Sequence, residues 1–253
     1  KALMCCAVPN GDVVIDVEGF TGGAQVQAEV HTATVAQMER LADDVMLIDL
    51  RLPASEDFRF RAGQYVDLLL SEGRRRSFSI ANAPHDSGHL ELHVRRVDGG
   101  SFTAQVFETM KEKDILRIEG PLGAFWLRED SARPSVLVAG GTGFAPIKSL
   151  VEDAIERGLQ RPVPPCWRAR DRAGLYVDAL ARSWESALPG LRYVPVLSDA
   201  AAGLEWTGRR GLVHQAVMDD FADLSGHEVY ACGAPAMIDA ARADFCNGRG
   251  LPE

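Results

Sequence analysis

The sequence predicts two kinds of architecture in succession: an antiparallel barrel or sandwich up to about residue 130, then a parallel α/β sheet with helices on both faces. Three observations carry this. Between residues 26 and 119, short apolar-alternating runs are separated by turn residues, the pattern of half-buried strands. Beyond residue 130, strand and helix patterns take turns regularly, which requires parallel pairing through crossover helices. Finally, Val136-Leu137-Val138-Ala139 contains no polar residue, as expected for a strand buried on both faces, and it breaks into Gly140-Gly141-Thr142-Gly143 before a helical pattern opened by Ala145-Pro146.

Taken in order, Val13-Val14-Ile15-Asp16-Val17 reads as a short strand, and the stretch from Gly19 to Gly23 as a loose linker. Strands are then expected over residues 26–35, 45–52, 65–70, 76–81, 90–97 and 114–119, with one helix at 102–110. The boundary falls near Asp130-Ser131-Ala132-Arg133. In the second half strands are expected at 136–139, 163–169, 192–197 and 228–232. Helices are expected at 147–157, 175–187, 213–224 and 235–247. The first of these helices keeps Ile147, Leu150, Val151, Ala154 and Ile155 at helical spacing. The sequence opens without Met inside an apparent element (Lys1-Ala2-Leu3-Met4-Cys5-Cys6) and stops at Leu251-Pro252-Glu253, so both ends are expected to be cut.

A chain of 253 residues, 46% hydrophobic and 25% charged, is long enough for two domains with separate cores. Its net charge of −9 and pI near 5.2 leave no basic surplus for phosphate backbones, which argues against a nucleic-acid partner. Arg74-Arg75-Arg76 stands out against that acidic background. No apolar run approaches the ~18 residues of a membrane helix, and no signal peptide is visible. Five cysteines without a small-scaffold spacing suit a reducing compartment, with the cytoplasm as default.

Four stretches carry chemistry. Gly140-Gly141-Thr142-Gly143 places a glycine turn between a strand and a helix N-terminus, where backbone N–H groups and the helix dipole favour a pyrophosphate. It is not a GxGxxG fingerprint, and an ordinary tight βα turn has the same composition. Arg76-Ser77-Phe78-Ser79 offers a guanidinium, an aromatic ring and a hydroxyl on one strand, suited to a ligand with a phosphate and a flat ring, although the stretch alone favours a surface arginine beside a core phenylalanine. Asp98-Gly99-Gly100-Ser101-Phe102-Thr103 is a second glycine turn at a helix start, either another pyrophosphate seat or a plain cap by Ser101. Tyr230-Ala231-Cys232-Gly233-Ala234-Pro235-Ala236-Met237 ends the fourth parallel strand, so Cys232 would share a crevice with Gly141; a buried structural cysteine is the alternative.

The order Arg-x-aromatic-Ser, Gly-Gly-x-x-Thr, Gly-Gly-Thr-Gly-x-Ala-Pro and Cys-Gly-x-Pro-x-Met resembles the ferredoxin–NADP⁺ reductase superfamily over nearly all of residues 25–250. Ala62-Gly63-Gln64-Tyr65 and Gly120-Pro121-Leu122-Gly123-Ala124-Phe125 are similar to that family's barrel signatures. The resemblance implies an antiparallel β-barrel FAD domain followed by a Rossmann-like NAD(P)-binding domain. It further implies that Arg76 and Ser77 lie along the FAD, with Arg76 on its pyrophosphate, Phe78 on the flavin and Ser79 near its N5. His93, Val94 and Arg95 would line the cofactor, while Gly100, Ser101 and Thr103 hold its pyrophosphate. Gly141, Thr142 and Gly143 would take the nicotinamide dinucleotide, with Cys232 and Gly233 beside the nicotinamide. Ser79 and Cys232 are the implied catalytic residues.

Leu3-Met4-Cys5-Cys6-Ala7-Val8-Pro9-Asn10-Gly11-Asp12 resembles the tail of a plant-type [2Fe–2S] ferredoxin domain, with Cys5 aligned to the last cluster ligand. The other three thiolates, at C-x₄-C-x₂-C spacing, have no counterpart in this sequence, so the cluster belongs to a full-length parent. Expected domains are therefore 1–22 (ferredoxin remnant and linker), 23–130 (FAD) and 131–253 (NAD(P)). The implied activity is hydride transfer from NADH, with NADPH as the alternative, to FAD, and then single electrons to an iron–sulfur cluster or a partner protein. The likeness is nearest to reductases of oxygenases and of CDP-6-deoxy-Δ-3,4-glucoseen formation, with an oxygenase or dehydratase component as the electron acceptor. A free-flavin or haem-linked reductase, and a non-catalytic FAD-binding redox sensor, remain as alternatives.

Two departures from the family pattern bear on the dinucleotide. Pro164-Pro165 removes ladder donors from an expected strand, and Arg168 replaces a glycine, although Arg168, Arg170 and Arg172 would suit a 2′-phosphate. The sequence also ends before the family's terminal acidic and aromatic segment, which would leave the nicotinamide-facing side of the flavin open.

Overall fold

A computed structural model describes residues 28–86, 88–188, 190–199 and 206–252. The expected strand at 13–17, the linker, and Cys5 lie outside the described residues. Six strands form the first sheet: β1 (Glu29–Ala42), β2 (Val45–Arg51), β3 (Tyr65–Leu69), β4 (Arg75–Ser79), β5 (His89–Arg95) and β6 (Ile115–Leu122), with helix α1 (Ser101–Glu108) between the last two. Their order is β4-β3-β6-β1-β2-β5, and an antiparallel bridge from Ile80 to Leu92 joins the outer strands and closes the sheet. Of barrel and sandwich, the structure therefore has the barrel. Its interior is filled by alternating side chains such as Val35, Ile48, Leu50, Val66, Leu68, Leu92, Val94 and Ile118, with Phe102 and Val106 of α1 packed among them.

Strand β1 continues to Ala42, well past the expected end at residue 35, and turns through Asp43 and Asp44 into β2. A register shift between Val35 and Gln37 breaks the alternation there, and the polar residues that follow hide the strand from a period-two reading. Of the two readings of the second glycine turn, the plain cap by Ser101 is not made: Gly100 is the N-cap residue of α1, without a side-chain cap bond.

The second sheet contains β7 (Ser135–Gly140), β8 (Pro165–Ala169), β9 (Val194–Leu197), β10 (Arg209–Arg210) and β11 (Glu228–Cys232), all parallel, in the order β10-β9-β8-β7-β11. Helices α2 (Phe144–Glu156), α3 (Asp178–Ser183), α4 (Val213–Asp220) and α5 (Pro235–Arg249) cover it. Strand β7 shows why both faces are apolar. Leu137 and Ala139 pack with α2, Trp167 and Trp184, whereas Val136 and Val138 pack with α4 and α5 through Val217, Ala241 and Phe245. Strand β10 was not expected, because two arginines carry no apolar signal; pairing of Arg209 with Val196 and of Arg210 with Leu197 defines it. Helix α3 is shorter than the expected 175–187, giving way to a 3₁₀ turn at Trp184–Ser186. The prolines before β8 do not break it. Pro165 starts the strand, where a missing N–H is tolerated, and the Pro164 carbonyl accepts from Leu137 N–H at 3.1 Å.

Candidate cofactor cleft

Strand β7 has β8 on one side and β11, the last strand in sequence, on the other, so the sheet reverses its winding between β7 and β11. In open parallel sheets that crevice, beyond the carboxyl ends of the strands, is where ligands sit. Here it faces the barrel across a cleft of about 1110 Å³. From the barrel come Arg76, Ser77, Phe78 and Ser79 of β4, His93 and Arg95 of β5, and Gly100, Ser101 and Thr103 at the start of α1. From the sheet come Gly141, Thr142 and Gly143, with Cys232 and Gly233 opposite.

Glycine is required twice at this junction. Gly141 sits at φ +57°, in the left-handed region. Gly143 lies so close to β11 that a Cβ there would be 2.6 Å from the Cys232 carbonyl carbon and 2.9 Å from the Gly233 nitrogen. The two strand ends thus meet backbone to backbone, and the glycine turn runs as a 3₁₀ turn into α2, with the Phe144 N–H on the Gly141 and Thr142 carbonyls.

Charge in the cleft runs against that of the chain. Arg76, Arg95, Arg96, Arg168 and Arg170 line it, against Asp43, Asp44, Asp98 and Asp171. Arg95 bonds Asp44 at 2.7 Å through Nη1, while its Nε and Nη2 are buried without partners. Such buried donors call for an acceptor. A polyanionic dinucleotide supplies one, and the donor set fits it: two glycine turns at helix starts, an exposed Arg76 guanidinium and an aromatic ring. Phe78 rests on Phe102 at 5.6 Å between ring centroids, half-buried, with its remaining surface toward the cleft.

Some hydroxyls are already engaged. Ser77 donates to Asp67 at 2.6 Å, Ser101 accepts from Arg74 at 3.1 Å, and Thr103 closes its own turn on Val97 and Gly100. What the start of α1 offers a phosphate is therefore chiefly its backbone N–H groups, which lack intrahelical acceptors. The Val94 side chain is wholly buried in the barrel core and does not line the cleft, because it alternates with His93 and Arg95 along β5. Burial pushes the Cys232 thiol up to about 11, so at neutral pH it is a neutral thiol, suited to packing and weak hydrogen bonding and not to nucleophilic attack.

Sequence reasoning overlooked Asp44, Glu91, Lys148 and Tyr176. Glu91, His93 and Arg95 occupy alternate positions of β5, a visible polar stripe, and Lys148 interrupts the apolar face of α2. Both anomalies were legible, but their pairing was not. Arg168 lines the cleft, bonds Ser198 at 2.8 Å and keeps a buried Nε without a partner. Among the described residues no helix is long and apolar enough to cross a membrane, and no cluster of three or more His, Cys, Asp or Glu could hold a metal.

Comparison with known proteins agrees with this geometry. Residues 32–126 match the oxidoreductase FAD-binding domain, and residues 137–243 match the oxidoreductase NAD-binding domain. The chain is 44% identical over 251 residues to the CDP-6-deoxy-L-threo-D-glycero-4-hexulose-3-dehydrase reductase of Yersinia pestis, covering 99% of this chain and 74% of that protein. It is 37% identical over 242 residues to reductase component 2 of terephthalate 1,2-dioxygenase from Comamonas sp, covering 96% and 71%. Among solved structures, the Amycolatopsis cytochrome P450 reductase GcoB superposes with a TM-score of 0.82 at 36% identity, over 89% of this chain and 68% of that one. The chain belongs to the ferredoxin reductase family, as an NAD(P)H-dependent flavoprotein reductase built from an FAD-binding barrel and an NAD-binding α/β domain.

Proposed function

We propose that this reductase, working in the cytoplasm, takes hydride from NADH in preference to NADPH and passes electrons singly to a [2Fe–2S] centre and on to a dehydratase or oxygenase component. Residues 1–22 would be the end of the ferredoxin domain carrying that centre, with Cys5 as a ligand; residues 23–130 would hold FAD and 131–253 NADH. The observation that carries this reading is the convergence of β4, the start of α1 and the β7–β11 crevice on one cleft. The dehydratase partner is favoured by the name and 44% identity of the Yersinia relative.

Bound in the cleft, FAD supplies a hydride acceptor that can release electrons one at a time. The chain's part is to bind and orient. Arg76 gives the FAD pyrophosphate a charge-assisted partner alongside the α1 N–H groups. Phe78 would pack on the ring system, and Ser79 would offer a hydroxyl at its edge. Arg95, with two buried donors free, reaches toward Gly141 from the barrel and is placed to meet phosphate oxygens. Gly141, Thr142 and Gly143 seat the second dinucleotide's pyrophosphate, and the neutral Cys232 thiol with Gly233 borders the nicotinamide. Holding the two rings together is the contribution such a cleft would make to the rate.

The test is optical. Purified protein should be yellow and should bleach on anaerobic addition of NADH, more readily than with NADPH. A colourless chain that cannot be reconstituted with FAD would overturn the reading.

A further inference from the structure

Along β5, Leu90, Leu92 and Val94 fill the barrel, while Glu91, His93 and Arg95 face the second domain. Lys148 meets them from α2, the helix that begins at the Gly141–Gly143 turn. It is almost wholly buried, rare for lysine, and its three protons have three acceptors: Glu91 Oε2 at 3.2 Å, Glu152 Oε2 at 2.9 Å and the Ala81 carbonyl at 3.3 Å. Glu91 presents its other oxygen to His93 Nε2 at 2.7 Å. On the far side of the ring, Nδ1 lies 3.1 Å from the Tyr176 hydroxyl.

This chain has one direction. Burial alone would raise the Glu91 carboxyl, but the hydrogen bond from His93 and the charge of Lys148 outweigh it and hold it down to about 2, so Glu91 only accepts. His93 must therefore carry its proton on Nε2. Burial raises Tyr176 well above the usual phenol range, so its hydroxyl stays protonated and is able to donate to an Nδ1 that carries no proton. Tyr176 in turn sets its ring edge-on to both His93 and Trp167, at 5.3 and 5.0 Å between centroids, and Trp167 Nε1 donates to the Gly141 carbonyl at 3.0 Å. From His93 in the barrel wall, the glycine turn is thus reached by two routes, through Lys148 and α2 and through Tyr176 and Trp167. Ser149 adds a third tie between the domains, donating to the Asn82 carbonyl at 2.7 Å.

We propose that Glu91 and Lys148 are positioning residues: Glu91 holds His93 as its Nε2–H tautomer in the cleft wall, and Lys148, bonded to Glu91 across the two domains, fixes the Gly141–Gly143 turn against the FAD-side strands. Neither residue touches substrate; Glu91 acts through His93 and Lys148 through the placement of α2. Only the consequence for hydride transfer rests on the reductase reading above. The tautomer does not.

The experiment compares FAD-loaded wild type with Lys148→Met, Lys148→Arg and Glu91→Gln. Ring ¹⁵N chemical shifts of His93 should show a protonated Nε2 and an unprotonated Nδ1 in the wild type, and a mixture in Glu91→Gln, whose amide can donate as well as accept. Lys148→Met should keep its flavin and the wild-type His93 tautomer, yet bleach with NADH about ten- to a hundredfold more slowly in stopped flow, as expected for a misplaced dinucleotide seat. Lys148→Arg should restore most of that rate. A purely structural role would lower the melting temperature without slowing bleaching in the folded protein. A proton on Nδ1 in the wild type would overturn the proposal, and this measurement decides even if Lys148→Met fails to fold. Wild-type bleaching rates in folded Lys148→Met and Glu91→Gln would overturn it too. Failure of NADH to bleach the wild type would instead refute the reductase reading and leave the tautomer result standing.

Discussion

Gly143→Ala isolates the crevice from the rest of the site. The residue is in the right-handed helical region, φ −60° and ψ −6°, so alanine meets no conformational penalty there. The obstacle is space. The new methyl would stand 2.6 Å from the Cys232 carbonyl carbon and 2.9 Å from the Gly233 nitrogen, with the Cys232 oxygen nearer still. Ordinary carbon contacts begin near 3.5 Å, so the turn must retreat from β11 by about 1 Å. The opposing atoms are backbone of a strand paired with β7 through Cys232 and Ala139, and they cannot swing aside as a side chain would. Overpacking of this kind costs about 1–3 kcal/mol. In a protein of this size that lowers the melting temperature by about 2–12 °C. Because the FAD-side residues lie across the cleft, flavin content should be unchanged, while NADH affinity, read by titration of the charge-transfer absorbance or by calorimetry, should fall about tenfold or more. Gly226→Ala is the control. Nothing lies within 4 Å of its added methyl, and stability should stay within about 0.5 kcal/mol of wild type. Wild-type melting and NADH affinity in Gly143→Ala would refute the close approach and with it the dinucleotide seat.

Arg76→Ala should lose FAD through loss of a charge-assisted phosphate contact worth about 1.5–3 kcal/mol, roughly a tenfold or greater loss of affinity; flavin absorbance after gel filtration checks it, and full retention would remove Arg76 from the site. Ser79→Ala should keep FAD yet slow NADH bleaching in stopped flow, and an unchanged rate would remove Ser79 from the mechanism. Acid stability should depend on Glu91. Its carboxyl is held from an ordinary 4.5 down to about 2, so the stabilisation, on the order of 3 kcal/mol, is complete above about pH 5 and is lost as pH falls toward 2. Glu152 runs the other way: burial, opposed by Lys148, leaves its carboxyl raised, which offsets part of that loss. Melting curves between pH 6 and pH 3 should be flatter in Glu91→Gln than in wild type; parallel curves would refute the assignment.

The fold was largely written in local patterns. Period-two alternation between residues 26 and 119 comes from strands with one face inside a barrel, and the unbroken apolar run at β7 comes from a strand with helices on both sides. Glycine turns at strand ends are local too, since φ and close approach restrict the residue whatever surrounds it. Elements held by pairing instead of burial escaped. The outer half of β1 carries Gln37, Glu39 and Arg40, and β10 consists of Arg209 and Arg210; both exist because a neighbouring strand offers hydrogen bonds.

By itself, the sequence determined two domains, their classes, and the short motifs able to meet phosphates, rings and hydride chemistry. Tertiary structure decided which of those motifs face one another. It turned the polar stripe His93 and Arg95 into the cleft wall and left Val94, which alternates with them, in the core. It also converted Lys148, an apparent flaw in an apolar helix face, into a buried link to Glu91 across 57 residues of sequence. Periodicity reports which side of an element is buried, but not what buries it. A buried charge is tolerable only beside its partner, and that partner is chosen by the packing of one domain on the other.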